Sequence, residues 1–114
     1  MPLPEFKYDP SGYFIYDNVT EKFSRGGTGP DWGRAPKIWS GLGPLKNHIN
    51  QFVHRNYNRD NSKIIIRNEY SNSLIYNVLT RDVYEKTPLE LMYEHIERQK
   101  KKSIYWHDVE IEVR

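Results

Sequence analysis

Thr87-Pro88-Leu89-Glu90-Leu91-Met92-Tyr93-Glu94-His95-Ile96-Glu97-Arg98-Gln99-Lys100-Lys101-Lys102 carries its own start and stop signals for a helix. Thr87 occupies the N-cap, Pro88 the first helical position and Glu90 the third, which is the spacing of a capping box. Proline is tolerated there because the amide hydrogen it lacks would have no intrahelical partner. Leu89, Met92, Tyr93 and Ile96 follow at helical spacing and predict an apolar stripe. The closing lysines suit the negative end of the helix dipole. Immediately afterwards the period changes. Between Tyr105 and Val113, the apolar Trp106, Val109, Ile111 and Val113 bracket Asp108, Glu110 and Glu112. From Val109 onward the alternation is strict, which predicts a half-buried C-terminal strand.

That strand needs partners earlier in the chain. Tyr13-Phe14-Ile15-Tyr16, the polar Asp17–Lys22 and the run Phe23-Ser24-Arg25-Gly26-Gly27 predict a β-hairpin, with Asx side chains supplying the turn. Residues 26 to 36 hold four glycines, two prolines and Trp32, a composition incompatible with helix or central strand. Lys37-Ile38-Trp39-Ser40 can form a short strand, and Gly41-Leu42-Gly43 breaks it. A helix beginning near Pro44 then places Leu45, Ile49, Phe52 and Val53 on one face and ends around Arg55-Asn56. Lys63-Ile64-Ile65-Ile66-Arg67 is β-branched and strand-like. Ser71-Asn72-Ser73 is a turn, and Leu74 to Leu79 returns as a second strand of a hairpin. A helix over residues 73–84 is the competing reading, because short apolar runs do not reveal their period.

The resulting order β-β-(β)-α-β-β-α-β lacks the alternation of a parallel sheet. It predicts an α+β fold: a small antiparallel sheet, made from the N-terminal hairpin plus the C-terminal strand, packed against two helices. The length of 114 residues fits a single domain, residues 1–114, with the proline-bearing residues 1–11 as an extended lead-in. Although only 37% of residues are hydrophobic, 9 Tyr, 4 Phe and 3 Trp supply large buried areas to fill a modest core.

The absence of cysteine excludes disulfides, thiolate nucleophiles and cysteine-bearing metal sites. Neither a secretory leader pattern nor a membrane-spanning run is visible, so the expected location is the cytoplasm, with no membrane partner. The net charge of +2 does not make nucleic acid the default partner. Between Asn18 and Arg59, however, seven cationic side chains face only Glu21 and Asp31, an asymmetry compatible with an anionic partner.

No residue pattern specifies catalysis. Among His48, His54, His95 and His107 there is no H-E-x-x-H motif, and His48 is the one candidate general base. A boundary histidine on a helix is the plainer reading. The Gly26-Gly27-Thr28-Gly29 run lacks phosphate-loop spacing, no helix begins directly after it, and a hairpin exit is the plainer reading. Beside Arg25, Arg34 and Lys37 its amides can hold an anion, and Trp32 or Trp39 can stack on a base. Trp39 and Trp106 also read as core anchors, and Trp32 as a lid. Lys100 to Lys102 read as a solvated helix end.

Tyr13-x-x-Tyr16-Asp17-x-x-Thr20-x-x-Phe23-Ser24-x-Gly26-Gly27, followed by Lys37-x-Trp39-x-x-x-Gly43-x-Leu45-Lys46-x-His48-Ile49, resembles a class of small accessory proteins of tailed bacteriophages. The resemblance covers residues 13–53 and the acidic C-terminal strand, and it brings no assigned chemistry or cofactor. It implies expression in an infected bacterial cytoplasm and a non-enzymatic protein that binds a host or antiviral-defence component. Lys37, Trp39, Lys46 and His48 match the motif, and Arg25, Gly26, Gly27, Trp32 and Arg34 complete the candidate binding set. Sequestration of a nucleotide or nucleotide-derived signal is the first alternative, and nucleic-acid binding the second. A homo-oligomer is open to the C-terminal strand if it lies at a sheet edge.

Overall fold

A computed structural model describes residues 11–27 and 31–114. Strands β1 (Tyr13–Asp17) and β2 (Lys22–Ser24) form the expected hairpin, with Tyr16 opposite Phe23 and Asp17 opposite Lys22. Asp17 organises the turn by accepting from the Val19 amide at 2.9 Å and from the Thr20 hydroxyl at 2.5 Å. Strand β3 (Trp32–Gly33) pairs with β2, and helix α1 (Leu42–Arg55) follows. Strands β4 (Tyr57–Asn58) and β5 (Lys63–Ile66), the short helix α2 (Asn68–Ser71) and strand β6 (Ser73–Asn77) come next. Helix α3 (Pro88–Lys102), a 3₁₀ turn (Ile104–Trp106) and strand β7 (Glu110–Val113) complete the chain.

The α+β class holds, but its strands divide between two sheets. One has the order β3-β2-β1-β6 and is antiparallel throughout; the other has the order β4-β5-β7. The C-terminal strand therefore does not join the N-terminal hairpin. It runs parallel to β5, with Lys63 opposite Glu110 and Ile66 opposite Val113. Residues 63–66 and 73–77 are both strands, as favoured, yet they do not form a hairpin. The helical turn α2 sends β5 into one sheet and β6 into the other, where β6 pairs along the whole of β1. The expected Lys37–Ser40 strand reduces to one bridge, in which Trp39 and Tyr13 exchange two backbone bonds of 2.9 Å. Gly12 makes this possible: its φ is +135°, and a Cβ there would lie 2.0 Å from the Trp39 carbonyl oxygen. The lead-in over residues 1–10 lies outside the described residues.

One core joins both sheets and all three helices. It contains Ile15, Trp39, Leu45, Ile49, Phe52, Val53, Ile64, Ile66, Tyr70, Ile75, Leu91, Met92, Ile96, Trp106 and Val109. A smaller cluster of Phe14, Tyr16, Phe23 and Val78 covers the opposite face of the hairpin sheet. Helix α1 buries the four apolar residues that its spacing named. It ends at Asn56, whose side-chain amide and backbone N–H both donate to the Phe52 carbonyl. Helix α3 has its capping box, with the Glu90 amide donating to Thr87 Oγ1 at 3.1 Å and the Thr87 amide to Glu90 Oε1 at 3.2 Å. Its buried face comprises Pro88, Leu91, Met92, His95 and Ile96, while Tyr93 is exposed. The stripe is thus rotated from the expected one, because the interior accepts His95 where an apolar side chain was sought. Trp106 is an anchor of the core, but in the 3₁₀ turn rather than on a strand.

Candidate functional site

Three of the candidate binding residues, Trp32, Trp39 and His48, meet around one buried phenol, with Gly26 and Lys37 beside them. Ser24 closes β2, Trp32 lies on β3, Trp39 bridges to β1, His48 points from the middle of α1, and α2 delivers Tyr70 between them. The Tyr70 hydroxyl lies 3.1 Å from His48 Nε2 and, more weakly, 3.4 Å from Ser24 Oγ. Ser24 Oγ also accepts from the Gly26 amide at 3.3 Å. Trp39 covers one side of the imidazole with ring centroids 4.9 Å apart, and Trp32 meets Tyr70 edge-on at the same separation. Gly26 adopts φ +83°, and the side chains of Lys37 and Trp39 are its nearest neighbours.

Burial sets the electrostatics of this group. Loss of hydration, reinforced by the Lys37 charge, lowers the pKa of His48 to about 4. Burial raises that of Tyr70 to about 12, with Asp31 adding to the rise and the Ser24 hydrogen bond opposing it. Both groups are therefore neutral near pH 7. A neutral imidazole and a neutral phenol sharing one hydrogen bond satisfy two polar groups inside an aromatic wall, which is what a folded interior requires of them. A base with so low a pKa is also poorly matched to proton abstraction at neutral pH.

The remaining candidates disperse. Arg25 is exposed and lies alongside Gly33, whose added Cβ would be 3.1 Å from Arg25 Cδ. Gly27 is packed against Asp31. Exposed Arg34 borders a shallow depression of about 360 Å³ with Thr20 and Phe23. Lys46 holds its ammonium 6.0 Å over the Tyr84 ring, next to an open groove of about 390 Å³ that includes Tyr13, Asp82 and Glu85. Trp39 is a core residue, and half-buried Trp32 packs against the core in the manner of a lid. The rest of the glycine run, Thr28 and Gly29, lies outside the described residues.

One pairing carries no signal in the sequence. His54 and His95, from α1 and α3, place their Nε2 atoms 2.9 Å apart. Arg98 Nη2 lies 3.4 Å from His95 Nδ1, and arginine can only donate, so His95 carries its proton on Nε2 and gives it to His54. Burial first, then the unfavourable proximity of a second imidazole, His54, and the charges of Arg98 and Lys102, lower the His95 pKa to about 4. No spacing signal joins two residues 41 positions apart. The C-terminal strand does lie at a sheet edge, that of the smaller sheet. In the β5–β7 ladder, the Glu110 amide donates to Ser62, the Arg114 amide to Ile66, and the Arg114 carbonyl accepts from Asn68. Residues 110, 112 and 114 therefore turn their backbone groups toward β5, and those of Ile111 and Val113 face outward. On this edge Val113 is 43% exposed; Ile104 and Tyr105, at 85% and 63%, are exposed in the 3₁₀ turn, where Tyr105 lies against Tyr57 of β4 and Arg59.

Among the described residues no group of three or more His, Cys, Asp or Glu is placed to hold a metal ion, and no helix is long and apolar enough to cross a membrane. In comparisons with protein-family models, curated proteins and solved structures, none matches this chain.

Proposed function

We propose that this chain acts as a non-enzymatic, phage-type binding protein that inhibits or modulates a host or antiviral-defence protein in the bacterial cytoplasm. The observation that carries this reading is the exposed apolar pair Ile104 and Tyr105, to which β7 adds a second open surface, an edge whose outward backbone groups have no partner among the described residues. Large apolar side chains grouped at a surface favour a protein partner, because covering them removes their area from water. Arg59 stands 5.0 Å over the Tyr105 ring and Tyr57 donates to the Tyr105 carbonyl, so the patch is held in place before any partner arrives. The resemblance to accessory proteins of tailed phages supports a host or defence protein as that partner.

Affinity capture from bacterial lysate, with an Ile104→Glu/Tyr105→Glu variant in parallel, tests the reading. A specific protein retained by the parent chain and released by the variant is expected; no enrichment by either would sink the proposal. A second reading, capture of a nucleotide or another small anion, rests on Gly26, Lys37, Trp39 and His48 converging on one site. It predicts a thermal-stability gain of about 2.7 kcal/mol with ligand at 100 times its dissociation constant. A flat melting profile across a nucleotide panel removes it.

A further inference from the structure

The two sheets manage their edges differently. On the hairpin sheet the outer side of β6 is already taken: the Asn77 amide donates to Asp82 and the Tyr84 amide to the Ile75 carbonyl, so residues 82–84 cover that edge. On the smaller sheet β7 is the last strand, and its outward amides and carbonyls belong to Ile111 and Val113. The side chains of β7 divide by face. Ile111 packs on the core side with Ile64 and Ile66, whereas Glu110 and Glu112 share the wet face with Lys63. Glu112 is held by Arg114 at 3.1 Å and by Lys63 at 4.0 Å. Glu110 has no ion-pair partner among the described residues, and Asp108 precedes it with only the exposed His107 nearby.

From this geometry we infer that the outer edge of β7 is a strand-addition site for an extended segment of another protein in which basic and apolar residues alternate. The inference rests on the protein-binding function proposed above and specifies its surface and partner chemistry. Main-chain bonds to Ile111 and Val113 supply affinity, and side-chain alternation sets register. One face of the incoming strand meets Glu110 and Glu112, where like charges directly opposite would repel and Lys or Arg is favoured. Its other face continues the apolar surface of Ile111 and Val113. A second copy of β7 is a poor occupant, because antiparallel self-pairing sets acidic side chains against each other.

The test uses the full chain and an eight-residue peptide of alternating Lys and Val, with a Glu/Val peptide as control. Binding is read by fluorescence anisotropy, and protection by amide hydrogen exchange. The Lys/Val peptide is expected to bind and to slow exchange at Ile111 and Val113, while the Glu/Val peptide does not bind. Val113→Pro removes one outward donor without touching the β5 ladder, since proline is tolerated on an edge strand, and should weaken binding at least tenfold with an unchanged melting temperature. Glu110→Lys should reverse the preference between the peptides. No binding of the Lys/Val peptide, or equal binding by Val113→Pro, overturns the edge site. Lysate capture with the parent chain and Val113→Pro separates the two levels. A protein retained equally by both removes the edge site and leaves the binding function, whereas nothing retained by either removes the function itself.

Discussion

The hairpin sheet is buried on both faces and the smaller sheet on one, and this difference governs how each was written in the sequence. In β1, Ile15 enters the main core, while Phe14 and Tyr16 enter the satellite cluster with Phe23, Val78 and the flanking Tyr76. A strand with two apolar faces reads as a continuous run, here Tyr13-Phe14-Ile15-Tyr16. In β7 only the Ile111 face meets the core, and the run alternates with Glu110 and Glu112. Continuity against alternation thus distinguishes a strand sandwiched between layers from one at the boundary with water. It also separates their surfaces: the sandwiched sheet is covered on both faces, and the one-sided sheet retains an open backbone edge at β7.

The strongest way to break this contrast is Phe14→Ala. Phe14 lies on the face away from the main core but is fully buried, with Phe23 at 5.6 Å and Tyr76 stacked at 5.5 Å. Urea unfolding should show a loss of about 3–5 kcal/mol; a loss under about 1 kcal/mol would mean that the satellite cluster is not a core. Acid gives the next largest effect and acts on the seams that tie α1 to α2 and α3. His48 and His95 both titrate near 4 in the folded chain against 6.5 unfolded. The unfolded chain therefore binds more protons between these values, so their stabilisation is complete above about pH 6.5 and is lost as pH falls toward 4. Each unit of depression is worth about 1.4 kcal/mol, and with solvent screening the combined loss should be roughly 2–4 kcal/mol. Urea midpoints at pH 7 and pH 4.5 measure it, and a His48→Asn/His95→Asn chain should lose most of the dependence over that range.

Smaller changes sharpen the comparison. Thr87→Ala removes the cap of α3, whose Leu91, Met92 and Ile96 belong to the core shared by both sheets, and should lower stability by about 1 kcal/mol without favouring either sheet. Hydrogen exchange is the readout, and a loss of protection confined to one sheet would contradict the shared core. Lys63→Ala deletes a half-exposed ion pair on the wet face of the smaller sheet and should cost under about 0.5 kcal/mol. A larger cost by urea unfolding would show that this face is not the solvated surface described.

The candidate site was only partly legible. Gly26, Lys37, Trp39 and His48 were named from their types and order, and they do converge. The residue that draws them together, Tyr70, sits in a stretch that reads as a strand-to-turn transition, and nothing around it marks a buried phenol. His54 and His95 were visible only as separate histidines, because a contact across two helices leaves no local pattern. Lys46 and Arg34 were also named as candidates but face other surfaces, since neighbours along a helix or loop diverge by the turn between them.

By itself the sequence determined the elements whose causes are local. The capping box at Thr87 and Glu90, the apolar face of α1 from Leu45 to Val53, the Asp17 turn and the alternating C-terminal strand each follow from contacts within a few residues. Tertiary structure alone decided which strands pair, that β7 runs parallel to β5, that α2 splits β5 from β6, and that His95 belongs inside. Those outcomes depend on burying apolar area between segments far apart in the chain, and that free energy belongs to the assembled core rather than to any single stretch.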